Sequence, residues 1–296
     1  MITLGGSAGA STGFGRFRNR IEVLDIIPGT RQLIIPTGWS KIRVAVVGGG
    51  GSGRNVTNKD QHGFGGGGGG GGYAEIELDV VPGQTFTYTV GAGGDLNQDG
   101  GTTSFGALFS ATGGKTATDN TTVASKGGAG GTGIGGTINK AGGAGGNGFD
   151  AANGGGGGGG ASGHRFGHGG AGGHGEAYVN STVTGGVGGS WIDRVRPLLY
   201  DDGWGLGITP YDQPLPAGLY VEHQGGAGNS LSISYSQVGQ GTTIGTHLAN
   251  LGGGSCSNRG SVSDVKAGGI GAGGGGGYNT YTGRGGPGAV IVEVLG

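Results

Sequence analysis

Three histidines lie close together in a glycine-rich stretch of the chain, at His164, His168 and His174. Imidazole is the commonest metal ligand in proteins, so three converging rings would suit a zinc ion. A complete zinc shell needs a fourth ligand, and the sequence offers only Glu176 nearby. The pattern therefore favours hydrogen-bonded polar side chains, and we predict no metal site.

Two carboxylates stand side by side at Asp201 and Asp202. Glycoside hydrolysis needs two carboxyl groups that face each other across about 5 to 10 Å. Neighbouring residues of an extended chain point to opposite faces, so this pair does not suit that chemistry. We predict no catalytic residue and no enzyme activity, and a surface-polysaccharide depolymerase stays as an alternative.

Gly48, Gly50 and Gly53 match the dinucleotide-binding fingerprint, in which a helix must begin directly after the glycines and point its first turn at the pyrophosphate. Residues 54–61 lead instead into eight consecutive glycines. We therefore predict no bound cofactor.

Residues 190–223 form an insert that is rich in aromatic and charged side chains. Aromatic rings can stack on sugars or anchor a protein interface, and aspartate and arginine form directional hydrogen bonds. The alternative is a small satellite core that buries the same rings. Together with the histidine stretch, the insert supplies the predicted host-recognition residues, namely Trp191, Asp193, Arg194, Arg196, Tyr200, Asp201, Asp202, Trp204, Tyr211, His164, Arg165, Phe166 and His168.

The 87 glycines of the chain need a geometric explanation, because each loses more backbone freedom on folding than any other residue. Extended left-handed segments that pack with no side chain between them would supply one. Collagen does not fit, since it requires glycine at every third position and far more than 8 prolines. We predict a polyglycine-II bundle organised around residues 127–175, with structural glycines at Gly65, Gly68, Gly154, Gly157, Gly160, Gly273 and Gly276.

Apolar, β-branched runs separated by Pro-Gly turns predict an antiparallel β-framework with little or no α-helix. The predicted strands are residues 21–27, 33–35, 42–47, 73–81, 85–90, 104–111 and 290–294. We expect residues 73–81 and 85–90 to form a hairpin across Pro82 and Gly83, and the last strand to pair with residues 42–47. The fold class is thus mainly β with a polyglycine-II bundle.

We divide the chain into residues 1–29, an arm and first strand that could serve as an attachment segment, and residues 30–296, a glycine-rich domain that contains the insert. The 17 basic and 18 acidic residues nearly cancel, so bulk charge does not favour nucleic acid as a partner. A single cysteine excludes an internal disulfide, and no long apolar run predicts a membrane span.

The order of several motifs resembles the glycine-rich domain of tail-fibre and tail-tip proteins of tailed bacteriophages. The matching segments are residues 35–44, 48–51, the oligoglycine before 73–75, then 82–85, 87–94, 101–106 and 286–293. The resemblance covers about residues 30–180 and 265–296. The first 29 residues and the insert at 190–223 have no counterpart in it.

The resemblance implies a β-framework with polyglycine-II helices and a role as an adhesin at the distal tail of the virion. Its implied partners are other tail proteins and a bacterial surface protein or polysaccharide. The family implies a homo-oligomer, such as a trimer. Because residues 1–5 lack a signal-peptide start, we expect synthesis in the host cytoplasm. A purely structural component of the distal tail stays as an alternative.

Overall fold

Two antiparallel β-sheets form the framework of the protein in the computed structural model. The structure describes residues 2–3, 20–56, 65–118, 125–149, 156–165, 167–175, 178–179, 182–183, 268–278 and 283–295. Within these residues the chain is mainly β and contains no helix. The predicted fold class, a mainly antiparallel β-framework, is therefore confirmed.

The first sheet has six strands in the order β1-β2-β15-β4-β6-β11. Its strands are β1 (Ile2–Thr3), β2 (Arg20–Asp25), β4 (Lys41–Val47), β6 (Tyr73–Asp79), β11 (Ile138–Lys140) and β15 (Ala289–Val294). The last strand lies between β2 and β4, antiparallel to both, with Ile291 opposite Ala45. The predicted pairing of the chain end with residues 42–47 is confirmed.

The second sheet has five strands in the order β10-β9-β8-β7-β3. Its strands are β3 (Gly29–Ile34), β7 (Thr85–Val90), β8 (Thr103–Phe105), β9 (Phe109–Ala111) and β10 (Gly133–Ile134). Two small pairs complete the described strands: β12 (Tyr178–Val179) with β13 (Thr182–Val183), and β5 (Asn55–Val56) with β14 (Gly277–Tyr278).

The hydrophobic core lies between the two sheets. Alternate residues of β4 and β15, such as Val44 and Val292, meet the aromatic side chains Tyr88, Phe105 and Phe109 of the second sheet. This alternation follows from the two-residue period of side chains along a strand. The opposite face of the first sheet carries charged residues, described below.

The predicted hairpin across Pro82 and Gly83 is wrong. β6 pairs with β4 and β11, whereas β7 pairs with β3 and β8, so the turn connects one sheet to the other. The backbone N–H of Gly83 donates to the carbonyl of Ile35, and that of Val80 to Ser40. The segments around residues 35 and 40 thus take the places that a hairpin partner would occupy.

Most long strands meet a bundle of glycine segments at the same end of the sandwich. The bundle begins after β4, β7, β9 and β11, and leads into β6, β8, β10 and β15. Residues 65–72 are its central segment. All six N–H groups from Gly67 to Gly72 donate hydrogen bonds to other segments, and the acceptor segment repeats every three residues. The N–H groups of Gly67 and Gly70 donate to residues 141–148, and those of Gly68 and Gly71 donate to residues 268–276. The N–H groups of Gly69 and Gly72 donate to residues 112–117.

The carbonyl groups of the central segment point to three further neighbours. They accept hydrogen bonds from residues 156–163, 48–54 and 127–131, again with a period of three. These six neighbours also bond to one another in a closed ring, in the order 48–54, 268–276, 156–163, 141–148, 127–132 and 112–117. The central segment is therefore surrounded on all sides by hydrogen-bonded backbone.

The close approach of these segments explains the glycines. A Cβ atom added at any residue from Gly66 to Gly72 would lie closer than 3.0 Å to a backbone atom of another segment. The same holds for Gly157, Gly160, Gly273 and Gly276. Gly65 accepts a hydrogen bond from Gly157, and Gly154 lies outside the described residues.

The centre of the bundle differs from our expectation. Residues 127–175 supply three segments of the ring and the segment 167–175 outside it, whereas the axis is residues 65–72. A hydrogen-bond repeat of three residues is what a helix with three residues per turn produces. The assignment of the polyglycine-II conformation itself stays a prediction.

Candidate recognition surface

Side chains emerge from one flank of the bundle at every third residue of four neighbouring segments. We call these twelve positions the third-residue face: Thr112, Lys115, Thr118, Lys126, Ala129, Thr132, Ala141, Ala144, Asn147, His168, Ala171 and His174. All are exposed except Thr112 and Ala141, which are half-buried. The glycines between them fill the positions that face other backbones.

Hydrogen bonds between the four segments align these side chains in rows. The row farthest from the sheets, which we call the distal row, contains Thr118, Lys126, Asn147 and His174. The N–H of Thr118 donates to the carbonyl of Lys126, and the N–H of Asn147 donates to Nδ1 of His174 at 2.9 Å. Residues far apart in sequence are thus held side by side.

Several side chains of this face accept a hydrogen bond from the backbone of the adjacent segment. Oδ1 of Asn147 accepts from the N–H of Gly127 at 2.9 Å, and Nδ1 of His168 accepts from the N–H of Ala141 at 3.0 Å. Oγ1 of Thr112 accepts from the N–H of Thr132 at 2.8 Å. Because each acceptor atom is engaged, these side chains are fixed in orientation.

The engaged acceptors determine which atoms are offered to a ligand. A neutral imidazole whose Nδ1 accepts a hydrogen bond carries its proton on Nε2. His168 and His174 therefore present Nε2–H groups, and Asn147 presents its Nδ2 amide hydrogens. The face is consequently rich in hydrogen-bond donors.

The positive charge of one lysine of the face is balanced by a neighbouring carboxylate. Nζ of Lys115 lies 2.9 Å from Oδ2 of Asp99, and the N–H of Thr116 donates to the other carboxylate oxygen. Partial burial would raise the pKa of Asp99, but the hydrogen bonds from Lys115 and Thr116 outweigh it and lower the pKa. The Asp99 carboxylate therefore stays ionised at neutral pH.

A different environment surrounds the turn between residues 156–163 and 167–175. His164 is 2% exposed, and Nε of Arg165 lies 3.4 Å from Oε1 of Glu75 on the outer face of the first sheet. Glu75 also accepts a hydrogen bond from the hydroxyl of Tyr73. We call the surrounding residues the buried charge cluster: Arg43, Tyr73, Glu75, Arg165 and Glu293, with Glu77 exposed at its edge.

Arg43 is the centre of this cluster. Its guanidinium lies 2.7 Å from Glu293, 2.9 Å from Glu77 and 3.5 Å from Glu75. Burial raises the pKa of Glu75, opposed by the hydrogen bond from Tyr73 and by the charges of Arg165 and Arg43. Burial also raises the pKa of Tyr73 well above its usual value. The cluster ties the bundle to the sheet.

Comparison with protein families gives a match over almost the whole chain. The family described as a glycine-rich domain matches residues 26–295. The chain belongs to this glycine-rich domain family. Among curated proteins, none matches the chain.

The described part of this glycine-rich domain holds only some of the predicted recognition residues. His168 is exposed on the third-residue face, whereas His164 is buried and Arg165 belongs to the buried charge cluster. The three histidines of the stretch therefore do not converge. Phe166 and the nine predicted residues of the insert lie outside the described residues, and their recognition roles stay predictions.

Sequence reasoning missed the other polar residues of the third-residue face, including Lys126, Asn147 and His174 as recognition candidates. A signal for them exists in the repeats of residues 141–147 and 168–174, where two glycines separate each pair of larger residues. Such spacing marks one outward position per three residues.

Within the described residues, no group of three histidine, cysteine, aspartate or glutamate side chains has the arrangement of a metal site. In the same part of the chain, no helix has the length and apolar character needed to span a bilayer.

Proposed function

We propose that this glycine-rich domain protein is a tail-fibre or tail-tip protein of a bacteriophage and acts as a non-enzymatic adhesin that binds a protein or polysaccharide of the host surface. The observation that carries the proposal is the third-residue face, an exposed polar surface whose side chains are fixed by the backbone. The motif order shared with tail-fibre and tail-tip proteins supports the phage context.

A fixed surface favours binding because association then loses less conformational entropy. Long flexible side chains lose about 0.5 to 1.5 kcal/mol each when an interface immobilises them. On the third-residue face, Asn147, His168 and His174 are already held by hydrogen bonds. The bundle thus supplies a rigid support for recognition.

A structural role in the tail is a second candidate, supported by the end of the sandwich opposite the bundle. Four large apolar side chains are exposed there: Ile34 at 62%, Val81 at 65%, Leu108 at 50% and Ile134 at 52%. Exposed apolar side chains that form a contiguous patch are typical of protein–protein contacts. We propose that this end attaches to other tail proteins while the bundle points away from them.

We expect the purified, fluorescently labelled chain to bind host cells saturably and to compete with adsorption of the phage. Variants that place glutamate at Asn147 and at His174 should lose most of this competition, because they remove outward donors. A variant with glutamate at Ile34, at the opposite end, should compete like the wild type. If the variants at Asn147 and His174 competed as well as the wild type and the Ile34 variant, the assignment of the third-residue face as the recognition surface would be contradicted. If the wild type did not bind host cells, the structural role would be favoured.

A further inference from the structure

We propose that the distal row of the third-residue face binds an acidic polysaccharide, whose anionic groups accept hydrogen bonds from Lys126, Asn147 and His174. This inference rests on the proposed adhesin function and names its ligand. The three residues belong to different segments of the bundle and are brought together by the hydrogen bonds of Gly127 and Asn147.

The chemistry of the row is one-sided. Asn147 uses Oδ1 to accept from Gly127, and His174 uses Nδ1 to accept from Asn147, so both turn N–H donors outward. Lysine has three donors and no acceptor. A ligand that satisfies this row must therefore bring acceptors, and hydrogen bonds to ionised acceptors are the strongest.

The charge of the surface also favours an anionic ligand. The described residues of the four segments that carry the row, 112–118, 125–149 and 167–175, contain no carboxylate. Lys126 is exposed and has no ion-pair partner among the described residues, whereas Lys115 on the same face is paired with Asp99. The unpaired positive charge of the face thus lies at the distal row.

The shape of the row suits an extended chain of sugars. Hydrogen-bonded neighbouring chains lie about 5 Å apart, so Lys126, Asn147 and His174 span about 10 Å in a line. The bundle repeats its outward positions about every 9 Å along each segment. A linear polymer with anionic groups can therefore contact several donors at once.

A protein receptor fits this surface less well. Protein interfaces derive most of their affinity from buried tryptophan, tyrosine and arginine anchors. The third-residue face contains none of these, and its apolar members Ala129, Ala144 and Ala171 are small. A neutral glycan would be expected to stack on the rings of tryptophan, tyrosine or phenylalanine, which the face also lacks. Acidic groups are the ligand feature that the surface can recognise.

The test uses the full chain and three probes: a polyuronic acid, a poly(glycerol phosphate) and neutral dextran. We expect saturable binding to one or both acidic polymers and none to dextran. The two acidic probes distinguish a carboxylate source from a phosphate source. Equal binding to dextran, or no binding to either acidic polymer, would overturn the inference.

Two substitutions test the residues. Asn147→Asp keeps the oxygen that accepts from Gly127 but replaces outward donors with an anion, and Lys126→Gln removes the unpaired charge. Each should weaken binding to the acidic polymer about ten-fold or more, as loss of a charge-assisted hydrogen bond predicts. Lys41→Gln, the matched control, removes a lysine charge at the start of β4, away from the bundle, and should bind within about two-fold of wild type.

The same proteins are then tested on host cells. If the wild type binds host cells and the Asn147→Asp and Lys126→Gln variants bind them equally well, the polysaccharide inference is overturned and the adhesin function is kept. Lack of cell binding by the wild type, with binding to the acidic polymer intact, would instead contradict the adhesin function. Normal melting temperatures of the variants establish that each is folded.

Discussion

Replacing Gly69 with valine destabilises the protein by about 3 kcal/mol or more, because the added side chain has no space. A Cβ at this position meets the carbonyl groups of Ala129 and Gly128. The backbone cannot move away freely, since the N–H of Gly69 donates to the carbonyl of Lys115 and its carbonyl accepts from Gly51. For a domain of this size, the melting temperature should fall by roughly 6 to 12 °C.

The matched control is Ala144→Val, which adds a branched side chain at an exposed position of the third-residue face. Surface substitutions of this kind change stability by about 0.5 kcal/mol or less. Thermal unfolding followed by circular dichroism compares the two. If both variants melted at the wild-type temperature, residues 65–72 would not be packed as described.

Replacing Arg43 with alanine should destabilise the protein by about 3 to 5 kcal/mol, as breaking a buried ion pair does. The substitution removes the guanidinium that lies 2.7 Å from the fully buried Glu293 and 3.5 Å from Glu75. The carboxylates then stay buried without this positive charge. Denaturant unfolding at neutral pH measures the loss.

The loss of stability caused by Arg43→Ala should be smaller at acid pH. Burial already raises the pKa of Glu75 in the folded protein, and removal of Arg43 raises it further because the arginine charge lowers it. A carboxyl group whose pKa is raised by folding stabilises the protein below its unfolded pKa and loses this contribution as the pH rises through the folded pKa. Arg43→Ala should therefore lie closer to wild type at pH 5 than at pH 8.

Lys41→Ala is the control for the cluster. Lys41 pairs with Glu77 at 3.0 Å, but both side chains are substantially exposed. Such pairs contribute less than about 1 kcal/mol. Equal losses for Lys41→Ala and Arg43→Ala, or a larger deficit of Arg43→Ala at pH 5, would contradict the role given to the buried charge cluster.

The β-framework could be predicted from sequence where the signal is local. The β-branched residues of 42–47 and 290–294 predicted buried strands, and their pairing was also correct. The turn at Pro82 and Gly83 has the same local sequence whether its strands pair or cross between sheets. Only the distant segments around Ile35 and Ser40, which occupy the hydrogen-bonding positions, decide between these arrangements.

The arrangement of the glycines along the sequence contained more information about the bundle than their total number did. A segment that is surrounded on all sides needs glycine at every residue, as in residues 65–72. A segment at the surface tolerates a larger residue at each third position, as in residues 168–174. The longest uninterrupted glycine run therefore marks the axis better than the richest stretch does.

The candidate surface was harder to predict because its geometry depends on contacts between remote segments. Asn147 and His174 are adjacent because two segments align in register, which composition does not specify. Likewise His164 and His168 differ by four positions, yet one is buried and the other exposed. The turn that pairs His164 with Gly167 separates them.

Amide hydrogen exchange of the central segment tests the glycine bundle most directly. All six N–H groups from Gly67 to Gly72 donate to neighbouring segments in the buried interior. We predict that they exchange only through global unfolding, as slowly as the buried amides of β4. Exchange at the rate of an unstructured glycine peptide, while β4 stays protected, would contradict a bundle built around residues 65–72.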